Sequence, residues 1–432
     1  MTAFTPDAAR ALGGPDWLVE RRLAAAEQID GIVWPTPADE IWRYSRVDEF
    51  DLDRYHPPSA DELGEPGPET APGGGPVAAE AGERAGLVVV RNGRVVHHEL
   101  DDTVAAKGVQ VCGLATCDEA DIAAVLGACS QASPDAFTML HDAFLAGGAF
   151  VRVPAGVVVE KPIIVLHWSE GEGLATFPHT LVVADESAEV TVLDRFGSPH
   201  IPGAGHFVDA VIELLVGDNA RVRYLSVQEH GPQTWQVALQ RAHVGRDASL
   251  HSAAVALGGD YARLRSESLL DGDSGESDLT AVYFGDRSQM LDFRTLQDQD
   301  APNTRSDLLF KGAVEDHAHS VYSGLIRLRP AARKAVASQT NRNLVLTEGA
   351  GAESIPNLEI ESNDVKCSHA SAVGPIDEDQ LYYLESRGVP PEDAERLIVL
   401  GFFDDVLERL PLPTLVRALR RTVIEKIERR HG

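Results

Sequence analysis

With only four cysteines in 432 residues, the chain has too few for a disulfide framework, and the spacing of three of them, Cys112, Cys117 and Cys129, matches no paired zinc or redox motif. These three read as packing thiols and the chain as a reduced, cytoplasmic protein. Nowhere does a run approach the roughly 18 uncharged apolar residues of a membrane helix, and "MTAFTPDAARALGGPDWLVERRL" has none of the layout of a secretory signal. Cations are scarce as well: Lys plus Arg total 38 against 67 Asp plus Glu, a formal charge of -29. Such a surface repels phosphate backbones and anionic lipid, so neither nucleic acid nor membrane is an expected partner. Motifs of nucleotide binding and hydrolysis are missing too. There is no P-loop, no G-x-S-x-G elbow and no H-E-x-x-H. The Gly349 to Ser354 run lacks the third glycine of a dinucleotide fingerprint and leads into strand.

What is present is periodic. An N-terminal unit, residues 1–55, opens with helix formers around Leu18, Arg22 and Ala25 and continues into an aromatic cluster at Trp42 and Tyr44, read as a patch that docks on the body. Residues 56–86, dense in Pro, Gly and Glu, read as a flexible linker. Residues 87–148 mix a hairpin turning at Asn92-Gly93 with two short helical patterns. From 149 to 374 the texture is uniformly that of short, β-branched, alternating strands. Polar turns followed by a small residue recur there with equivalent positions at 188, 220, 248 and 276, and the Glu348 to Ser354 stretch looks like the same turn again. One turn per ~20 to 50 residues is the mark of a solenoid whose coils stack on one another, a β-helix rather than a sandwich.

At Gly374 the helical period returns. Asp377 stands as an N-cap with Gln380 three residues on, and Pro391 opens a helix carrying Leu397, Leu400, Phe403, Leu407 and Leu410. Residues 375–432 form a C-terminal helical domain.

Chemistry is sparse. Asn363, Val365, Cys367 and His369 share one face if their segment is extended. The thiol and imidazole could share a metal, or Cys367 could be a small buried residue and His369 a surface one. His317 and His319 read as exposed turn histidines without further ligands, and Asp292 with Arg294 as a solvated ladder.

The ordered run from Arg342, "RNLVLTEGAGAESIPNLEIESNDVKCSHASAVGPIDEDQLYYLESRGVPPEDA", resembles the signature of the SufB/SufD family of iron-sulfur cluster assembly proteins. "PADEIWRY" is similar to the family's N-terminal unit. The resemblance implies a mainly β fold, a right-handed parallel β-helix flanked by helical regions, and a non-enzymatic scaffold role. It implies pairing with a SufB-like subunit through the β-helix and a SufC-like ATPase on the C-terminal helices, and it leaves open whether the isolated chain forms a homodimer. It further implies a transient iron-sulfur cluster or iron at the subunit interface, with no tightly bound cofactor in the isolated chain. Ala350 stands where SufB-type chains carry a cysteine, and Cys367-Ser368-His369 matches the SufD pattern. His369 is then the interface ligand, Cys367 an assisting ligand or a packing thiol, and Phe402, Phe403 and Leu407 the grip on the ATPase. Where many SufD chains are histidine-rich, Phe293 and Arg294 stand instead. A SufB-like homodimeric scaffold and a β-helix polysaccharide lyase or hydrolase are the competing readings.

Overall fold

In the computed structural model, residues 3–64, 83–129, 135–200 and 205–431 are described, without the side chains of 429–431. The linker expected at 56–86 therefore falls largely outside the described residues.

Two facing ten-stranded sheets make the body. The first runs, in spatial order, Arg94–Leu100, Gly86–Arg91, Ile163–Trp168, Glu189–Gly197, Arg221–Glu229, Ser249–Ala256, Glu276–Gly285, Arg305–Val314, Val336–Val345 and Lys366–Gly374. The second runs Gln110–Gly113, Ala149–Val153, His179–Ala184, His206–Val216, Thr234–Val244, Tyr261–Leu270, Met290–Gln299, His319–Leu328 and Gly351–Ile360, with Ala175–Thr176 pairing beside His206–Val216. Successive strands alternate between the sheets and pair in parallel with the strand one coil away, the architecture of a parallel β-solenoid.

Register sets the coil length. Glu189 pairs with Arg221, Arg221 with Ser249, Ser249 with Glu276, Glu276 with Arg305 and Arg305 with Val336. The turns explain the repeat. Ser187, Asn219, Asp247 and Ser274 each take positive φ, and each is followed by a small residue whose N–H closes the turn: Ala188, Ala220, Ala248 and Gly275. Those alanines are 0 to 1% exposed, so a larger side chain would have no room. The equivalent of Ala248 is thus Gly275, one residue before the expected 276. The Gly349 turn belongs to the opposite side of the solenoid, where strands enter the second sheet, as at Arg287 and Asp316. Coils approach so closely at the turns that a Cβ on Gly272 would collide with the backbone of Arg246 one coil earlier.

Helices cover part of the outer face of each sheet. The N-terminal helices Pro6–Ala11 and Asp16–Ala26 share an aromatic core with the helix Ala136–Phe144 and the second sheet, through Phe4, Trp42, Phe137, Phe144, Phe207, Trp235 and Tyr261. Trp42 docks there as expected, whereas Tyr44 stays half exposed. Over the first sheet lie the C-terminal helices. Asp377 Oδ1 accepts from the N–H of Asp379 and Gln380 to open Glu378–Ser386, and Pro391–Leu407 and Val416–His431 follow.

Candidate functional site at the open end of the solenoid

The last coil is uncovered. Lys366–Gly374 and Gly351–Ile360 are terminal strands of their sheets, each paired on one edge only. Seven of the nine residues of Lys366–Gly374 are exposed, although the strand continues a ladder whose earlier members are buried. Its register places Cys367 over Ala337, His369 over Gln339, Ser371 over Asn341 and Val373 over Asn343. Ala337, Gln339, Asn341 and Asn343 are buried and point between the sheets, so the thiol and the imidazole share the inward face, as the alternation required. No further coil lies above them among the described residues.

The two neighbours differ in setting. Cys367 is partly buried against the cluster of Ile326, Leu328, Ala332, Ala335 and Ala337, and that burial pushes its thiol up from the ordinary value. His369 is exposed. Beneath it the interior turns polar. Gln339 accepts from Tyr322 Oη at 3.0 Å and donates to Asn357 O at 3.2 Å. Asn341 donates to Tyr283 Oη at 3.0 Å, Tyr283 Oη to Asn343 Oδ1 at 2.7 Å, and Asn343 to Asn341 Oδ1 at 2.8 Å. These partners fix the floor and leave its amides committed to one another. Among the described residues no group of three or more His, Cys, Asp or Glu is arranged to hold a metal ion. On the inward face of this strand Cys367 supplies a thiol and His369 an imidazole.

Other expected residues fall differently. Phe403 and Leu407 are 0% and 1% exposed, packed on Val282, Phe284 and Leu309 of the first sheet. They are core, because the apolar stripe of their helix is spent on its own solenoid. Phe402 is half-buried; its carbonyl accepts from Lys311 Nζ at 2.8 Å, and that ammonium lies 4.6 Å from its ring centroid. The outward side of these helices carries Tyr382, Tyr383 and Leu397, each at least half exposed. Ala350 sits in the turn entering Gly351–Ile360. His317 is exposed, and His319 Nε2 lies 3.5 Å from Glu353.

Asp292 and Arg294 are not a solvated ladder. Asp292 is 0% exposed and accepts from Arg263, from Tyr261 Oη at 2.9 Å and from Arg294 Nε at 2.7 Å. The same guanidiniums donate to Ile41 O at 2.7 Å and Arg43 O at 2.6 Å, and Arg263 stacks 3.7 Å over the Trp42 ring. The network clasps the N-terminal unit to the solenoid, with every buried charge paired. Two further features escaped sequence reasoning. His141 Nε2 lies 3.0 Å from His179 Nδ1, and His179 Nε2 3.2 Å from Glu213, which accepts the N–H of Gly127 and Cys129 at 2.8 Å each. Burial, chiefly, takes His141 down to about 3. Cys112 and Cys117, expected as free packing thiols, are joined as a disulfide. A groove of about 1010 Å³ crosses the outer face of the second sheet, where Arg241, Arg265, Arg294, Arg327 and Arg329 all meet carboxylates of this chain.

No described helix is long and apolar enough to cross a membrane. The SUF system FeS cluster assembly SufBD core domain matches residues 167–402, and the SufBD protein N-terminal region matches 84–165. An iron-sulfur cluster assembly SufBD family protein of Mycobacterium tuberculosis is 34% identical over 307 residues, covering 69% of this chain and 74% of that protein. The iron-sulfur cluster assembly protein SufD of Bacillus subtilis is 30% identical over 424 residues, covering 96% and 94%. A SufBD family protein of Staphylococcus saprophyticus is 25% identical over 415 residues, covering 94% and 88%. A solenoid left open at a strand bearing Cys367 and His369, together with family models that span both its N-terminal part and its coils, places the conclusion beyond fold alone: the chain belongs to the SufBD family of SUF-system iron-sulfur cluster assembly proteins.

Proposed function

We propose that the chain is a SufD-like, non-enzymatic scaffold subunit, acting in the cytoplasm, whose open end receives the matching end of a SufB-like chain. The observation that carries this reading is the exposed imidazole of His369 on the inward face of a terminal strand with one free edge. Unpaired parallel edges are templates for another chain's strands. A second solenoid end meeting this one would set His369 against ligands contributed by the partner, with iron and sulfide as cargo; a neutral imidazole suits iron in that role. Cys367 is secondary in this arrangement, since its thiol is turned against its own coil and its burial opposes the thiolate. The ATPase surface of the C-terminal helices is assigned to Tyr382, Tyr383 and Leu397, the large apolar groups that their own chain leaves exposed.

Reconstitution with SufB-like and SufC-like partners tests this. His369→Ala is expected to assemble as a complex yet to lose cluster formation, followed by the visible absorbance of the cluster. Cluster formation at the wild-type rate would sink the ligand role. The SufB-like homodimer requires sulfur uptake on this chain's own thiol; Ala350 and the raised thiol of Cys367 oppose it. Persulfide labelling of Cys367 in the isolated chain would revive it.

A further inference from the structure

Cys112 is the penultimate residue of the strand Gln110–Gly113, which closes the second sheet antiparallel to Ala149–Val153, with Cys112 opposite Phe150. Cys117 follows a tight turn in which Thr116 N and Cys117 N both donate to Gly113 O, at 2.9 and 3.1 Å. The turn brings the two Cα atoms to 6.3 Å, within the span a disulfide bridges. Both cysteines are half-buried, and Thr116 between them is exposed, so a small molecule can reach the pair. The other two thiols are placed otherwise. Cys129 is buried, chiefly by which its thiol is pushed up to about 12, and Cys367 lies in the last coil.

The bridge holds one end of a segment whose far end does structural work. Leu114, Ile122 and Leu126 pack with Phe150 and Leu181 over the second sheet. Beyond them the N–H groups of Gly127 and Cys129 are held by the buried Glu213 carboxylate, and Arg241 donates to Cys129 O at 2.9 Å. Ala128 and Cys129 form part of the wall of the groove on that face. Freed from the bridge, this segment keeps its apolar anchors but loses the covalent tie beside the exposed turn.

We propose that Cys112 and Cys117 are a reversible dithiol/disulfide couple that sets how firmly residues 114–129 are fastened over the second sheet. The oxidant is a low-molecular-weight disulfide of the glutathione type. One cysteine thiolate attacks a sulfur of that disulfide and expels one thiolate, giving a mixed disulfide. The second cysteine thiolate then attacks the protein sulfur of the mixed disulfide and expels the other. Two protein thiols are oxidised, one disulfide is reduced to two thiols, and the protons pass to solvent and the leaving thiolates. In a reducing compartment, disulfides that do form are of this transient, sensing kind.

The full chain would be equilibrated over a range of oxidised to reduced glutathione ratios, quenched in acid, alkylated in denaturant and mapped by mass spectrometry. Cys112 and Cys117 are expected to lose alkylation together in one two-electron step, tenfold in equilibrium constant per roughly 30 mV, while Cys129 and Cys367 stay alkylated. Amide exchange of 114–129 is expected to slow about tenfold on oxidation. Cys112→Ser is expected to halt at a glutathione adduct on Cys117. The proposal is overturned if both thiols persist in excess oxidised glutathione, if each ends as a separate adduct in the wild type, or if exchange of the segment is equal in the two states. The last comparison uses wild-type chain alone, so it stands even where a variant folds poorly.

Discussion

The two ends of the solenoid are built from the same repeat and finished in opposite ways. At the N-terminal end the chain turns back on itself: Arg94–Leu100 lies antiparallel on Gly86–Arg91, and Gln110–Gly113 antiparallel on Ala149–Val153, so each parallel sheet stops at a strand the molecule itself supplies. The interior there is mostly apolar, with Val88, Val90, Val151, Ile163 and Val165 all at most 1% exposed, and its few polar members, His167, Asp194 and Thr180, meet one another. At the C-terminal end nothing in the described chain turns back. The last strands expose their edges, and the interior beneath them is filled by Gln339, Asn341, Asn343, Tyr283 and Tyr322, hydrogen-bonded to one another. A valine core left open would place apolar surface in water. A core of paired amides and phenols tolerates water until a partner arrives, and it specifies one geometry for the strand above it.

That contrast can be broken most forcefully by a charge at each end. Val165→Asp puts an unpaired carboxylate in the closed end and is expected to cost over ~4 kcal/mol in denaturant unfolding. Val373→Asp, at 44% exposure on the open strand, is expected to stay within about 0.5 kcal/mol as a monomer while losing co-elution with a SufB-like partner. Equal costs would mean the ends are not different in kind. The C-terminal helices offer the next contrast: Phe403→Ala is expected to cost about 3–5 kcal/mol by cavity formation. Tyr383→Ala should leave the unfolding midpoint unchanged and weaken capture of the ATPase in a pull-down. Asn341→Ala removes a donor from the polar floor and leaves Tyr283 and Asn343 short of a partner, an expected loss of about 1–3 kcal/mol seen as a lower unfolding midpoint.

Per pH unit, a smaller effect separates the ends by their response to acid. His141, buried beside the closed end, binds its proton only near pH 3 when folded against an ordinary value of 6.5. The unfolded chain therefore holds the extra proton between those values. Stability contributed by the neutral ring is full above about 6.5 and is lost as pH falls toward 3. In the middle of that window His141→Gln is expected to flatten the dependence by about 1.4 kcal/mol per pH unit, read from urea titrations at successive pH values. An unchanged slope would show that the ring is solvated in the folded chain.

Much of the fold was legible because stacking imposes a local rule. Each turn needs a residue tolerant of positive φ and then one small enough to be buried, and Ser187-Ala188, Asn219-Ala220 and Asp247-Ala248 spell that out. The rule failed where two turn types look alike in letters. The Gly349 turn has the right residues and lies on the other side. The site was legible in part: period 2 put Cys367 and His369 on one face, but no pattern says whether another coil covers that face. Phe403 and Leu407 form the same stripe whether it meets a partner or the chain's own sheet. Asp292 and Arg294 alternate like exposed residues, and only the segment around Trp42, some 250 residues earlier, buries them. The turn at Gly113 that brings Cys112 and Cys117 together has no signature in a C-x4-C spacing.

By itself, then, the sequence determined the repeat, the strand faces, the switch to helix after Gly374 and, through an ordered run of residues, the family. Those properties depend on neighbours within a few residues or on one coil repeated, and such information is written locally. What covers each surface was decided by the tertiary structure alone: which stripe is core, which carboxylate is paired, which end is closed and which stays open. Burial is a property of residues brought together from distant parts of the chain, and its energy depends on the partner found there rather than on the residue that seeks it.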